Sequence, residues 1–271
     1  MLARPGRYFR LMLAFARLCL ATELAFRANF LIKLLVEVLW LGILLVFYLT
    51  IFASPDQKIA GWTRDEYLFF VGCHYALGGV IETFFLSNCS EFADLVRSGD
   101  LDLYLLKPID EQFLITTRTI DWSTLPNVLQ GALVMAVALY NLHWPVGPLR
   151  LAAFVALFGC GVALAYSFLL LLTSTSVWFV RNQSLLELWW LFTTLMRYPR
   201  EVFLGGWATP LGFFFTFVVP VMVVVSVPAE TMVKVFDGRF IALTAAAAVV
   251  LLVVSRRFFR RALRSYRSAS S

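Results

Sequence analysis

Residues 30–53 read FLIKLLVEVLWLGILLVFYLTIFA, an apolar stretch whose only charged residues are Lys33 and Glu37. A hydrocarbon core about 30 Å thick is crossed by about 20 helical residues. Lipid offers the backbone no partner, so such a stretch must satisfy its amides internally, as a helix. Five further stretches have the same length and polarity: 66–88, 120–142, 151–180, 205–227 and 240–255. The composition agrees, with 61% hydrophobic and 15% charged residues, against roughly half and about a quarter in soluble domains. The expected fold is all-α, a polytopic membrane protein with six transmembrane helices. Little of the chain is left over, so one domain is expected over 1–271, made of an interfacial helix (1–29), a membrane region (30–255) and a basic tail (256–271).

The net charge of +6 follows membrane topology and does not suggest nucleic acid. An even number of spans puts both termini on one side. Assigning that side to the cytoplasm places Arg4, Arg7, Arg10, Arg17, Arg27, Arg97, Lys107, Arg118, Arg181, Arg197, Arg200 and the C-terminal arginines inside. Only Lys58, Arg64, Arg150, Lys234 and Arg239 then fall outside, an asymmetry that sets orientation. Arg17 and Glu23 interrupt the first apolar run, so no cleaved signal peptide is expected. Cys19, Cys73, Cys89 and Cys160 lie in apolar surroundings without C-x-x-C spacing and read as free, packed thiols.

Two segments are too apolar for loops and too polar for comfortable spans. In 8–29, Arg10 and Arg17 share one helical face, with Leu11, Phe15 and Leu18 on another. This suits an amphipathic helix on the inner membrane surface, or else the start of a long first span. In 183–201, Trp189, Trp190 and Tyr198 suit the headgroup level beside Arg197 and Arg200. The alternative is a true span, which would turn 205–227 into a re-entrant element. Pro199, Gly205, Gly206, Pro210, Gly212, Pro220 and Pro228 crowd the next stretch, and proline removes a helical hydrogen bond and clashes with the preceding turn. A bent, re-entrant region is therefore expected before the last span, at the outer end, with a kinked packing helix as the other reading.

Enzyme signals are poor. The chain has no G-x-x-x-x-G-K-[ST], H-E-x-x-H or G-x-S-x-G. His74 and His143 read as lying on different sides of the membrane, too far apart for a shared metal or a nucleophile–base pair. Ionisable residues within spans are costly, and so are candidates for a translocation path. Lys33 and Glu37, four residues apart, can pair on one face, and Lys33 can snorkel. His74, Gly78 and Glu82 trace one stripe, with Gly79 beside it, that permits close helix contact and turns a carboxylate toward protein or a cavity. Packing and a substrate or proton site both remain open for Glu82.

The second and third spans are joined by a polar island, 89–119, that contains Glu91, Asp94, Arg97, Asp100, Asp102, Lys107, Asp110, Glu111 and Arg118. Its charges are mixed, unlike a lipid-binding polybasic loop. Phe92, Leu95 and Val96 line one side of a short helix ended by Gly99, and Pro108 closes the next apolar stretch. Such an element suits docking of a soluble partner, or a plain amphipathic connector. The C-terminal run from Arg256 to Arg267 suits an anchor on anionic lipid heads, at roughly 1 kcal/mol per basic residue.

The run RSGDLDLYLLKP over 97–108, with a Glu82-bearing second span, Tyr198-Pro199, Pro220 and Pro228-Ala229, resembles the ABC-2 type permeases, in their six-span branch of ABC-2 family transporter proteins. The resemblance covers nearly the whole chain and is sharpest in GDLDLYLLKP. It implies a permease half that pairs with a second copy or paralogue and with two cytoplasmic ABC ATP-binding subunits, in the bacterial plasma (inner) membrane, with both termini cytoplasmic. It implies export, with ATP and Mg bound by the partner and no cofactor in this chain. The island would be the coupling element, with Glu91, Asp94, Arg97, Gly99, Asp100, Asp102, Lys107 and Pro108 as its residues, and Pro210, Pro220 and Pro228 would mark short external re-entrant helices. Phe213, Phe214, Phe215 and Phe217 fit a lipid-like, amphiphilic or drug-like natural-product cargo, and would equally suit contact with lipid. Two other classes compete: a membrane-embedded lipid-modifying enzyme using Glu82 and His74, and a channel or ion-coupled transporter using Glu82.

Overall fold

The computed structural model describes residues 5–52, 58–143, 147–179, 183–203, 209–234 and 238–266, and among them every regular element is helical. Five helices have the length and apolarity of a membrane span: α2 (Arg27–Ile51), the continuous Arg64–Ser98 rod, α7 (Leu125–Leu142), α8 (Pro148–Thr175) and α12 (Gly238–Ser265). The rod comprises α3 (Arg64–Ile81), a π-turn at Glu82–Leu86 and α4 (Ser87–Ser98). The remaining helices are α1 (Pro5–Ala25), α5 (Leu101–Leu105), α6 (Glu111–Thr117), α9 (Gln183–Met196), α10 (Thr209–Phe213) and α11 (Val221–Val233). The bundle has a near end, where α1 and the last turns of α12 lie, and a far end, where α3 begins.

Local signals account for several boundaries. Glu66 reaches back to the Thr63 N–H at 2.8 Å and closes a capping box at the start of α3. Just before it, Ile59 and Trp62 exchange backbone hydrogen bonds around Ala60 and Gly61, both at positive φ, and this tight turn delivers Trp62 into the core. Gly99, at φ 82°, ends α4 in the left-handed conformation that glycine adopts without strain. The third span starts at Leu125 and not at Ile120. Residues 119–124 instead form a turn stitched to the π-turn, where Asn88 exchanges hydrogen bonds with Thr119 and the Asp121 N–H donates to Thr83 O at 2.9 Å. A π-turn offsets the helical ladder by one residue, which is how the Thr83 carbonyl becomes available to a neighbour.

Within lipid, helices associate by close packing more than by the hydrophobic effect. α3 and α7 meet antiparallel over the glycine pair Gly72 and Gly131, and a Cβ on Gly131 would lie 2.4 Å from the Ala76 N and 2.5 Å from the Gly72 O. Gly79 fits against Asn127 and Val128 in the same way, whereas Gly78 has open space beside it. The small-residue contact thus runs through Gly72 and Gly79. The stripe of His74, Gly78 and Glu82 faces elsewhere.

The region before the last span is broken, as its prolines predict. The segment beginning at Thr209 and α11 are bent by 82° about Pro220. Gly212 lies against the Phe203 backbone, Pro220 lines a cavity with Leu164, Phe168 and Leu251 at mid-depth, and Lys234 returns to Gly61 at 3.2 Å. The chain therefore enters from the far end, turns within the bundle and leaves by the far end. α9 carries it there: Phe192 stacks on Phe168 at 4.2 Å, and Arg200 meets Ser226 and Glu230. Within 183–201, α9 packs into the bundle with Trp189 wholly buried, while its 14 residues leave it outside the five helices with the length of a span. Arg197 and Arg200 accordingly leave the group of near-end charges. Gly205 and Gly206 lie outside the described residues.

Candidate functional site

A cleft of about 510 Å³ runs along α3 from His74, at mid-depth, to Ser87, toward the near end. α2 contributes Glu37 and Trp40, the turn before α7 contributes Asp121 and Thr124, α7 gives Asn127, and α9 gives Trp190, Thr193 and Arg197. Three of the four path residues expected from sequence, Glu37, His74 and Glu82, therefore converge on one cavity, and Gly78 lies open to it. Sequence reasoning missed Asn127 and Arg197. No periodicity marks them, because their role depends on α7 and α9 meeting α3.

The polar contacts correct the expected Lys33–Glu37 pair. Lys33 turns to Asp121, with Nζ to Oδ2 at 3.9 Å, and does not line the cleft. Glu37 accepts from Asn127 Nδ2 at 2.9 Å, and the same amide nitrogen donates to Glu82 at 3.4 Å. A neutral amide group thus bridges two carboxylates from different helices. His74 and Glu82 are two turns apart on one helix, about 12 Å along its axis, which leaves them out of mutual hydrogen-bond reach as an acid–base pair. The two histidines also share one half of the bundle. His143 ends α7 beside the start of α3, where Asn141 bonds Asp65 at 3.2 Å.

At the near end the island forms a compact unit. Phe92, Leu101 and Ile115 are buried with Leu170 of α8 and Phe259 of α12, and Leu95 and Val96 pack against them as their spacing predicts. Asp110 caps α6 by accepting from the Phe113 N–H at 3.1 Å and pairs with Arg256 at 2.7 Å. The basic run after the last span is therefore partly engaged by protein and not only available to lipid; Arg267 lies outside the described residues. α1 is a helix separate from α2, with a break at Phe26, and it lies across the island: Tyr8 packs edge-on to Phe113 at 4.8 Å, and Trp122 Nε1 donates to Ala16 O at 3.0 Å.

The expected coupling residues divide into two groups. Glu91, Asp94, Arg97, Asp100, Lys107 and Pro108 are exposed, with Arg97 paired to Asp94 and Glu91 to Arg118. Gly99 and Asp102 are half-buried, and Asp102 interacts with Tyr266 of the C-terminal helix. Leu103 and Leu106, 60% and 81% exposed, stand among the charges at the tip. A sequence reading that followed charge passed over them. Of the phenylalanine group, Phe213 and Phe214 are exposed, while the Phe217 side chain lies outside the described residues.

The comparisons agree with this architecture. The profile of a family described as ABC-2 family transporter protein matches residues 38–270, and the chain belongs to that family. It is thus a permease component of an ABC transporter, a multi-pass membrane subunit of a kind that works with ABC ATP-binding subunits. No curated protein and no solved structure matches it.

Proposed function

We propose that this chain is one half of the translocation path of an ATP-driven exporter, a single transmembrane domain that pairs with a second permease copy or paralogue and two cytoplasmic ATP-binding subunits. The near end faces the cytoplasm of a bacterial plasma membrane, and ATP and Mg act in the partner. The observation that carries this reading is that the cleft lined by Glu37, His74 and Glu82 reaches Ser87 and Asp121, toward the same end at which the island displays Leu103, Leu106 and the exposed charges. Apolar side chains without cover, set in mixed charge, suit a protein surface more than a lipid one. α2, exposed along most of its length and bearing Trp40 at the rim of the cleft, is the face for the second permease. Movement of the island reaches the cleft through α4 and the π-turn, which form one rod with α3. The cargo is lipid-like, amphiphilic or drug-like.

The test is co-purification with a candidate ATP-binding subunit, followed by the ATPase rate of the complex. Leu106→Asp, and separately Asp100→Ala with Lys107→Ala, should lower recovery of the ATP-binding subunit or transport per ATP by about tenfold, the loss of roughly 1.4 kcal/mol of docking energy. The permease itself should stay folded. Failure to retrieve any ATP-binding subunit with the unmutated chain sinks the proposal.

A further inference from the structure

We propose that the end of α12 carries a binding site for an anionic phospholipid, built by Arg257, Arg261 and Arg264 at the level of the near-end headgroups. The arginines of this helix end divide between two faces. Arg256 and Arg260 both turn to Asp110 of the island, at 2.7 and 3.7 Å. Arg257, Arg261 and Arg264 are exposed, and among the described residues no ion pair reaches them. Steps of four and then three residues keep these three on one side of a helix. That side is turned away from the bundle, since Ser255, Phe259 and Ala262, on the opposite side of the same turns, are buried.

The course of this stripe shows what it meets. Three, four and seven residues back from Arg257 stand Val254, Val253 and Val250, all exposed on the same face of a helix with the length and apolarity of a span. A second copy packed there about a two-fold axis would bring two arginine stripes together, which their like charge opposes. The valines are thus left to acyl chains, and one helix face passes from acyl chains to headgroups. Arg239 and Arg257 stand about 27 Å apart along the helix axis, against a hydrocarbon layer about 30 Å thick, so Arg257 lies at its boundary. A second, independent observation marks the same level. Trp178, just past the end of α8, packs on Phe258 at 5.6 Å, and both Trp178 and Phe179 are exposed. Exposed indole rings of membrane proteins gather at the headgroups.

The chemistry of the stripe selects the lipid. A guanidinium fork matches two phosphate oxygens at once, and each basic residue near an anionic surface adds to the attraction. Phosphatidylcholine presents the same phosphate with a cation attached, so three arginines without an acidic partner favour the net negative headgroup of phosphatidylglycerol. Phosphate free in solution lacks the acyl chains that lie along Val250, Val253 and Val254. Arg256 and Arg260 stand apart from the site because Asp110 already meets their charge. The site involves neither the cleft nor the cargo.

Native mass spectrometry of the full chain, released from nanodiscs of equal phosphatidylglycerol and phosphatidylcholine, counts the lipid that stays bound. The unmutated chain should retain phosphatidylglycerol in preference. Arg257→Gln, Arg261→Gln and Arg264→Gln together should weaken that retention at least about tenfold, roughly half the attraction summed over three basic residues. The same three positions changed to Lys should keep most of it, because the charge stays. Arg256→Gln with Arg260→Gln should keep it as well. The triple Gln variant should melt with the unmutated chain in phosphatidylcholine discs, and the three single Gln variants, each expected to lose about twofold, answer the question if it does not. No preference in the unmutated chain, full retention in the triple and single Gln variants, or an equal loss in the Arg256 and Arg260 variant overturns the inference. Displacement of the bound lipid by inorganic phosphate at constant ionic strength overturns it too, by marking a site for a free anion. So does lipid retention left intact while recovery of the ATP-binding subunit is lost, which assigns the stripe to that protein.

Discussion

Gly131 and Gly78 show how differently one residue type acts within one helix pair. A Cβ at Gly131 would press on backbone atoms of α3 at 2.4 and 2.5 Å, and backbone cannot swing aside. Gly131→Val should therefore force α7 away from α3 and cost at least about 3 kcal/mol, the upper range for overpacking. Thermal unfolding of the detergent-solubilised chain checks it. Gly78→Ala meets nothing within 4 Å and should be neutral or gain up to about 1 kcal/mol from helix propensity. Equal loss in the two variants would show that the α3–α7 contact does not depend on Gly131. Spacing of small residues along α3 announced a contact stripe, and the partner helix decided which glycines belong to it.

Among the elements, α6 shows how the island is held. Asp110 supplies its N-cap and also accepts from Arg256, while the Asp110 N–H donates to Tyr8 of α1 at 3.3 Å. Asp110→Ala removes the cap, at about 1 kcal/mol, and releases the α12 arginines, which at 48% and 53% exposure add little to stability by themselves. Hydrogen exchange over 111–117 should rise severalfold while the global unfolding temperature hardly moves, because Ile115 and Phe259 still hold the core of the unit. Unchanged exchange would mean the cap is not holding the helix. Phe92, Leu95 and Val96 were legible as a helical face, because i, i+3 and i+4 spacing is a local property. The arginine partners of Asp110 were not, since the nearer, Arg256, lies 146 residues away.

Across the whole molecule, the far end is tied by a cluster drawn from four segments. Arg200 bonds Glu201 at 2.8 Å and Glu230 at 2.9 Å and lies over the Phe240 ring, while Trp62 Nε1 donates to Glu201 at 3.0 Å. The Arg200 side chain is 12% exposed, so Arg200→Met removes the cation from the half-buried Glu201–Glu230 pair and leaves the Glu201 carboxylate without it. That should cost about 3–5 kcal/mol and free α11 to exchange. Adding Glu230→Met should recover part of the loss, and a strictly additive double variant would show that the two do not act together. Burial alone would raise the Glu201 pKa, but hydrogen bonds from Arg200 and Trp62 outweigh it and hold the group below its ordinary 4.5. A depressed carboxyl stabilises the fold above its unfolded pKa, and that contribution is lost as pH falls through the folded value. Stability should therefore drop below about pH 4.5, and less so in Glu201→Gln, as a melting series would read.

Apolar length along the chain was enough to establish the helical membrane fold, because a bilayer imposes the same requirement on every span before any tertiary contact forms. Charge and breakers likewise showed the near-end island, the stop at Gly99 and the break at Pro220, each a local property of the backbone, whereas Pro228 lies inside the continuous α11 and breaks nothing. The tertiary structure decided the course of 183–233, the partners of Lys33 and Glu37, and the meeting of Glu37, His74, Glu82, Asn127 and Arg197 at one cleft. Those outcomes depend on which helices lie side by side, and hydrophobic pattern is nearly blind to that when lipid and protein interior are equally apolar.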